Sequence, residues 1–287
     1  MSILNILSEM DSLNEELLTE NRVVTFGNRS FPTEGWAVIL SGGPASGKSS
    51  MAKSDLLIDA KKFDVDELKS QYARAVDKGI IDDRPYDLKK PEDTSALHYK
   101  IKDLGLDRKQ KDYFYSANAG SNGVSRPNVI YDITGDSYGK TAEIVSTLSN
   151  FGYKISYVWV ITSRIEALVR SLKRGKEDRL VDEKILHQKF NAIAKTVPDV
   201  LTGELAEDID EAWIYFSIPN SSVAMTKEEE DEFKLTRAIK LQKEGGRFEI
   251  PDDLGERIYA TLGEPETNPE NPEVYPTYAE LTKQYDI

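Results

Sequence analysis

The sequence predicts an α/β protein: a mainly parallel β-sheet flanked by helices, preceded by a helical N-terminal extension and followed by an irregular C-terminal one. Three observations predict it. Apolar runs of strand length alternate with segments of helical periodicity, the order of a parallel sheet with right-handed crossovers. A loop of the form G-x-x-x-x-G-K-[ST], GGPASGKS at residues 42–49, lies between the first apolar run and a helix start. Two further strand-like runs, KFDVD and NVIYD, end in acids, where open α/β sheets carry their chemistry.

The elements follow in order. Ile3, Ile6, Leu7, Met10, Leu13 and Leu17 recur at helical spacing, so residues 3–18 read as a helix. A loop with Pro32 and Gly35 leads to a strand over residues 36–40. The helix after the glycine-rich loop is expected to reach about residue 58. Residues 62–66 read as a short strand, and residues 67–78 as a helix stopped by Gly79. Residues 80–127 carry the weakest pattern, with one helix expected over 95–104 and a Gly/Ser/Asn loop over 118–123. Alternation resumes at residues 129–132. A helix is expected over 138–151, with Ile144, Val145, Leu148 and Phe151 inward and Gly152 as its cap. Next come a strand over 155–161, a helix over 164–174 stopped by Gly175, a helix over 182–195 and a strand over 212–217. After Pro219 a charged stretch, 227–243, reads as helical. The Pro- and Glu-rich run 263–276 reads as extended.

Composition narrows the chemistry. The chain has 287 residues and no cysteine, which excludes disulfides, thiol catalysis and cysteine-based zinc sites and fits a reducing compartment. No run approaches the roughly 20 apolar residues that span a bilayer. The acidic, amphipathic N-terminus does not have the form of a signal peptide. A cytoplasmic location, without membrane association, is therefore expected. The net charge of −13 implies no bulk attraction to nucleic acid. Residues 164–179 nevertheless carry six basic and three acidic side chains, which suggests a local anion site.

The glycine-rich loop is the most specific signal. Delivered by a strand and received by a helix, the backbone N–H groups of Gly42, Gly43, Pro44 to Gly47 and the following Lys48, Ser49 and Ser50 are placed to cradle phosphates, Pro44 supplying no donor. Among these, Ala45 and Ser46 complete the cradle, Lys48 would reach the β- and γ-phosphates, and the Ser49 hydroxyl could hold Mg²⁺. A hydroxyl that accepts a phosphoryl group needs a carboxylate to take its proton. Asp64 and Asp66 share one face of an extended segment, and Asp66, nearer the strand end, is the better base. The competing reading is an aspartate that caps the helix from Glu67. Asp132 could hold Mg²⁺ directly or through water, and Thr134 follows it. Arg174 and Arg179 flank Gly175 in a segment, 170–181, suited to a mobile lid over phosphates. His98 could line the acceptor site, although an ordinary packed histidine is the commoner case.

In this order the motifs GGPASGKS, KFDVDELK and NVIYDITGDS, then a strand and an Arg-bearing helix-loop-helix, resemble the zeta-toxin-like P-loop kinases, relatives of polynucleotide kinases. The resemblance runs from residue 37 to about 203. It implies a P-loop kinase domain at 36–219, between extensions at 1–35 and 220–287. It also implies ATP or GTP as donor with Mg²⁺, Asp66 as base, Lys48 and Ser49 on the phosphates and Mg²⁺, Asp132 near metal or substrate, and Arg174 and Arg179 as lid arginines. The implied acceptor is a hydroxyl on a nucleotide, a nucleotide sugar or nucleic acid. Phage-encoded kinases acting on hydroxymethylated pyrimidines in DNA share this core, which would place the chain in host cytoplasm. Asp136 stands where zeta toxins carry an arginine for a nucleotide sugar. Two other classes fit the loop alone: an NTPase that uses hydrolysis as a switch, and a non-catalytic nucleotide-binding module. No N-K-x-D guanine motif is present, and Ile133 follows Asp132 where motor ATPases often place Glu.

Overall fold

A computed structural model describes residues 34–51, 58–118, 126–175, 180–217, 238–262 and 278–285. The expected N-terminal helix and the extended run 263–276 lie outside the described residues. Strand β1 is Trp36–Ser41, and the helical turn α1 is Lys48–Met51. They are followed by β2 (Lys61–Phe63), α2 (Val65–Asp77), α3 (Pro91–Leu104), α4 (Leu106–Asn118) and β3 (Val129–Ile133). The second half holds α5 (Tyr138–Asn150), β4 (Lys154–Ile161), α6 (Arg164–Gly175), α7 (Glu183–Thr202), a 3₁₀ turn (Glu204–Asp208) and β5 (Glu211–Phe216). The chain closes with β6 (Ala238–Lys240), a small hairpin of β7 (Lys243–Glu244) and β8 (Arg247–Phe248), α8 (Asp252–Leu262) and α9 (Tyr278–Tyr285).

The six-stranded sheet has the order β2-β3-β1-β4-β5-β6. β2 pairs with β3 and β4 with β5 in parallel, and β6 runs antiparallel to β5. Residues 37–41 of β1 and 155–161 of β4 are buried throughout. Both faces of a parallel strand are covered by helices, so such strands are continuously apolar rather than alternating.

The chain divides into two compact units. The first holds β2, α2, α3, α4 and β3 up to Asp132. Its core is Leu68, Tyr72, Ala75 and Val76 of α2 against Leu97 and Ile101 of α3 and Leu106 of α4. The second holds β1 from Ala37, the glycine-rich loop, and the elements from α5 onward except residues 177–180.

Several boundaries differ from expectation, each for a local reason. The strand at 62–66 is shorter: β2 ends at Phe63, and α2 already begins at Val65 because the Asp64 carboxylate caps it by accepting from the Asp66 N–H at 2.9 Å. Ile58 is not helical. The weak 80–127 region holds two helices, separated only by Gly105 at φ 62°. Phe151 is the C-cap of α5 and half exposed, not inward. Helix α7 runs through Pro198 to Thr202 rather than stopping at residue 195. Val197, Val200 and Leu201 continue its buried face, so packing overrides the lost backbone hydrogen bond. The stretch expected to be helical to residue 243 is strand at 238–240 and 243–244, because Ala238–Lys240 pairs with the open edge of β5; residues 227–237 lie outside the described residues.

Candidate functional site

In the second unit the loop is a backbone construction. Strand β1 ends at Ser41, and the Gly42 N–H donates to the Thr134 carbonyl at 3.2 Å. The Ser46 N–H donates to Gly43 O at 3.2 Å, and the Met51 N–H to Gly47 O at 3.0 Å, which opens α1. The curl places Ala45 at φ 56° and Gly47 at φ 98°. The first is a conformation that alanine adopts at a cost, and strain of this kind gathers at functional sites. At Gly47 and Gly43 space also demands glycine. A Cβ on Gly47 would lie 2.6 Å from Ser217 Oγ, and one on Gly43 2.4 Å from Phe190 Cε2.

Lys48 folds over this loop, its Nζ donating to Gly42 O at 2.6 Å and Gly43 O at 3.0 Å. It therefore sits above the same peptides that would cradle a phosphate. The Ser49 side chain is exposed at the start of α1 and free to turn toward a cation, whereas Ser46 is buried. Ser50 lies in α1, and its side chain is outside the described residues. Pro44 is half-buried between Gly43 and Ala45.

A residue that the sequence reading placed only in the lid segment 170–181 bonds to the loop instead. Arg170, on α6, donates from Nη1 to Ser217 Oγ at 2.9 Å and to the Ala45 carbonyl at 3.5 Å. Its Nε is held by Glu166 Oε1 at 2.8 Å, one helical turn back. The i,i+4 Glu-Arg spacing was the available signal; what it could not show is that α6 lies against the loop. Thr134 contributes its carbonyl to Gly42. Gly135, at φ 77°, is fixed by Ser41, whose Oγ would stand 1.9 Å from an added Cβ. Asp136 is paired with Lys189 of α7. Arg174 lies half-buried in the last turn of α6; Arg179 lies outside the described residues.

In the first unit the acids form a row held by lysines. Lys62 Nζ is 2.9 Å from Asp64 Oδ2 and 2.9 Å from Asp132 Oδ2. Burial alone would lower the Lys62 pKa, but the Asp132 and Asp64 carboxylates outweigh it and hold the ammonium above its ordinary value. Asp66 belongs to the first turn of α2, not to a strand face shared with Asp64. It is the exposed member of the row, its side chain 45% accessible, and it is ion-paired with the buried Lys69. Asp64 takes the capping role that competed for Asp66. Lys111 of α4 stands 4.9 Å over the Tyr131 ring, next to Asp132. His98 is half-buried on α3 with its ring centroid 6.0 Å from that of Tyr99. Among the described residues no group of three or more Asp, Glu or His side chains could hold a metal ion, and no helix is long and apolar enough to cross a membrane.

Fold and loop define an α/β protein of the P-loop kinase fold. No family model and no curated protein matches the chain. Solved structures do. The AvrRxo1-ORF1:-ORF2 complex in its native form matches at 12% identity over 89% of this chain and 70% of that one, with a TM-score of 0.51. The same complex with ATP matches at 13% identity, over 93% and 71%, with a TM-score of 0.53. The PezAT chromosomal toxin–antitoxin system of Streptococcus pneumoniae matches at 13% identity over 80% of this chain and 93% of that one, with a TM-score of 0.49. At such identities the likeness is one of fold.

Proposed function

We propose that the chain is a kinase that moves the γ-phosphoryl group of ATP or GTP to a hydroxyl, as the zeta-toxin-like resemblance implies. The acceptor is a nucleotide, a nucleotide sugar or a modified base in DNA. The observation that carries this reading is the loop at 42–49, strained at Ala45 and crossed by Lys48. A solved structure of the same fold, the AvrRxo1-ORF1:-ORF2 complex, contains ATP.

The roles follow from what each group can do. Loop N–H groups bind and orient the triphosphate, and Lys48 leaves its carbonyl partners to neutralise charge on the β- and γ-oxygens. Mg²⁺, which the exposed Ser49 hydroxyl fits, would add charge neutralisation on the same oxygens. Asp66 accepts the proton of the acceptor hydroxyl as its oxygen attacks phosphorus, and the bond to the leaving nucleoside diphosphate breaks. Asp64, Asp132, Thr134 and His98 are proposed on the acceptor side. Arg174 and Arg179 stabilise the charge that develops in transfer. The organisation proposed is a catalytic domain at 36–219 between two extensions, acting in the cytoplasm.

The test is a screen of hydroxyl acceptors with γ-labelled ATP and GTP: nucleosides, nucleotide sugars, and DNA with and without hydroxymethylated pyrimidines. Label on one class, lost in Lys48→Ala, supports the reading. Nucleotide hydrolysis with no labelled acceptor would favour the switch NTPase instead.

A further inference from the structure

The row of acids in the first unit is tied together by one side chain whose position the proposed chemistry does not use. Lys62 lies inside β2, one residue before its end, with its side chain 24% exposed, and Asp132 beside it is 9% exposed. The ammonium reaches Asp64 and Asp132 at equal distances of 2.9 Å. The other Asp64 oxygen accepts the Asp66 N–H at 2.9 Å. A continuous chain of contacts thus runs from Asp132 through Lys62 and Asp64 to the backbone of Asp66.

We propose that Lys62 is a built-in cation between Asp64 and Asp132, so that Asp132 positions the acidic row and does not ligate the Mg²⁺ of the nucleotide. The inference rests on the kinase reading for the role of Asp66 and for that Mg²⁺. Its physical basis is local. Asp132 is nearly buried and shares the Lys62 ammonium with Asp64; a divalent ion on the same carboxylate would stand beside that fixed ammonium and meet its repulsion. Mg²⁺ also demands near-octahedral oxygens at about 2.0–2.1 Å and gives up its water reluctantly. An ammonium at hydrogen-bonding distance asks for less and, unlike a metal, cannot leave. The chain of contacts gives Lys62 a second consequence: it orients the first turn of α2, and with it the proposed base. Lys62 is a positioning residue in this scheme.

Mn²⁺ serves as the probe, read by electron paramagnetic resonance on the full-length chain, first without nucleotide and then with saturating ADP. Without nucleotide, wild type should show no Mn²⁺ site that Asp132→Asn removes. Lys62→Met should remove the cation that the two carboxylates share and bind Mn²⁺ at least about tenfold more tightly than wild type, because affinity follows ligand charge. Asp132→Asn on top of Lys62→Met should abolish the gain, and Lys62→Arg, which keeps a cation, should show none. With ADP, Asp132→Asn alone should leave Mn²⁺ affinity within about twofold, where loss of a true ligand or its support costs about tenfold or more. An Asp132-dependent Mn²⁺ site in wild type, no gain in a folded Lys62→Met, or a tenfold loss in Asp132→Asn with ADP would each overturn the inference. If Lys62→Met fails to fold, the two Asp132→Asn comparisons decide. Failure of ADP to bind would count against the kinase reading alone, since the nucleotide-free titrations still decide the role of Lys62.

Discussion

The glycine-rich loop and the acidic row hold their groups in place by opposite means. The loop is made of backbone: a strained dihedral at Ala45, a positive φ at Gly47 that glycine allows, glycines pressed against Phe190 and Ser217, and a lysine resting on the loop's carbonyls. The row is made of side chains: three aspartates held by Lys62 and Lys69. A backbone site tolerates almost no change of residue, because each position answers to a conformation or a contact. A side-chain site can be rewired, because an ion pair is satisfied by any cation that reaches.

That difference can be broken from both sides. Lys48→Ala carries the largest expected effect: transfer is abolished, while the thermal unfolding midpoint stays close to wild type, since Lys48 supplies charge to the transferring phosphate rather than core packing. Near-normal turnover in a folded Lys48→Ala would remove the loop as donor site. Arg174→Ala with Arg179→Ala should come next. Charge-stabilising arginines can be worth about a thousandfold in kcat, but the two can share the role, so each single variant is expected to be milder. Single-turnover transfer and nucleotide affinity should separate, with rate affected and affinity less so; a double variant at wild-type rate would end the lid assignment.

Asp66→Asn and Asp64→Ala sharpen the comparison within the row. The first should lower transfer on the order of a hundredfold with nucleotide affinity unchanged, because an amide takes no proton. The second removes a helix cap, which costs about 1 kcal/mol of stability, and should show in urea unfolding before it shows in rate. If Asp66→Asn weakens nucleotide binding as much as rate, Asp66 is structural and Asp64 becomes the base to test.

The same contrast explains what could be read in advance. The loop's place between a strand and a helical turn was legible, because G-x-x-x-x-G-K-S followed an apolar run and preceded a helix start. The fold class was legible because buried parallel strands are continuous apolar runs, as in β4. The acidic row was legible only as a list of aspartates. Strand alternation placed Asp64 and Asp66 on one face, whereas the cap at Asp64 starts the helix two residues earlier and turns them apart. Lys62 escaped notice because one of its two partners, Asp132, comes from the neighbouring strand β3, which is distant in sequence. The loop contact of Arg170 escaped because its partner, Ala45, is 125 residues away. Contacts of that separation leave no local pattern.

The smallest expected effect lies in a side-chain network away from the chemistry, and it tests whether this unit depends on ion pairs for its stability as well as its row. Asp83 accepts from the hydroxyls of Tyr72 and Tyr86, each at 3.0 Å, and is paired with Lys100 at 3.2 Å. Burial alone would raise its carboxyl pKa; the Arg84 amide, Tyr72, Lys100 and Tyr86 outweigh that and hold it below the usual carboxylate range. A carboxyl whose pKa is depressed in the folded state contributes stability above its unfolded value of about 3.9 and loses it as pH falls through the folded one. Asp83→Asn keeps one acceptor oxygen for the tyrosines but deletes the charge and the second oxygen, which accepts the Arg84 N–H. Wild type should therefore be more stable than the variant by about 1 kcal/mol near neutral pH, and the gap should close as pH falls below about 4. Urea unfolding of both proteins across that range measures it. A gap that persists unchanged in acid would show that the lost hydrogen bond from the Arg84 amide, not the charge, holds the segment after α2 in place.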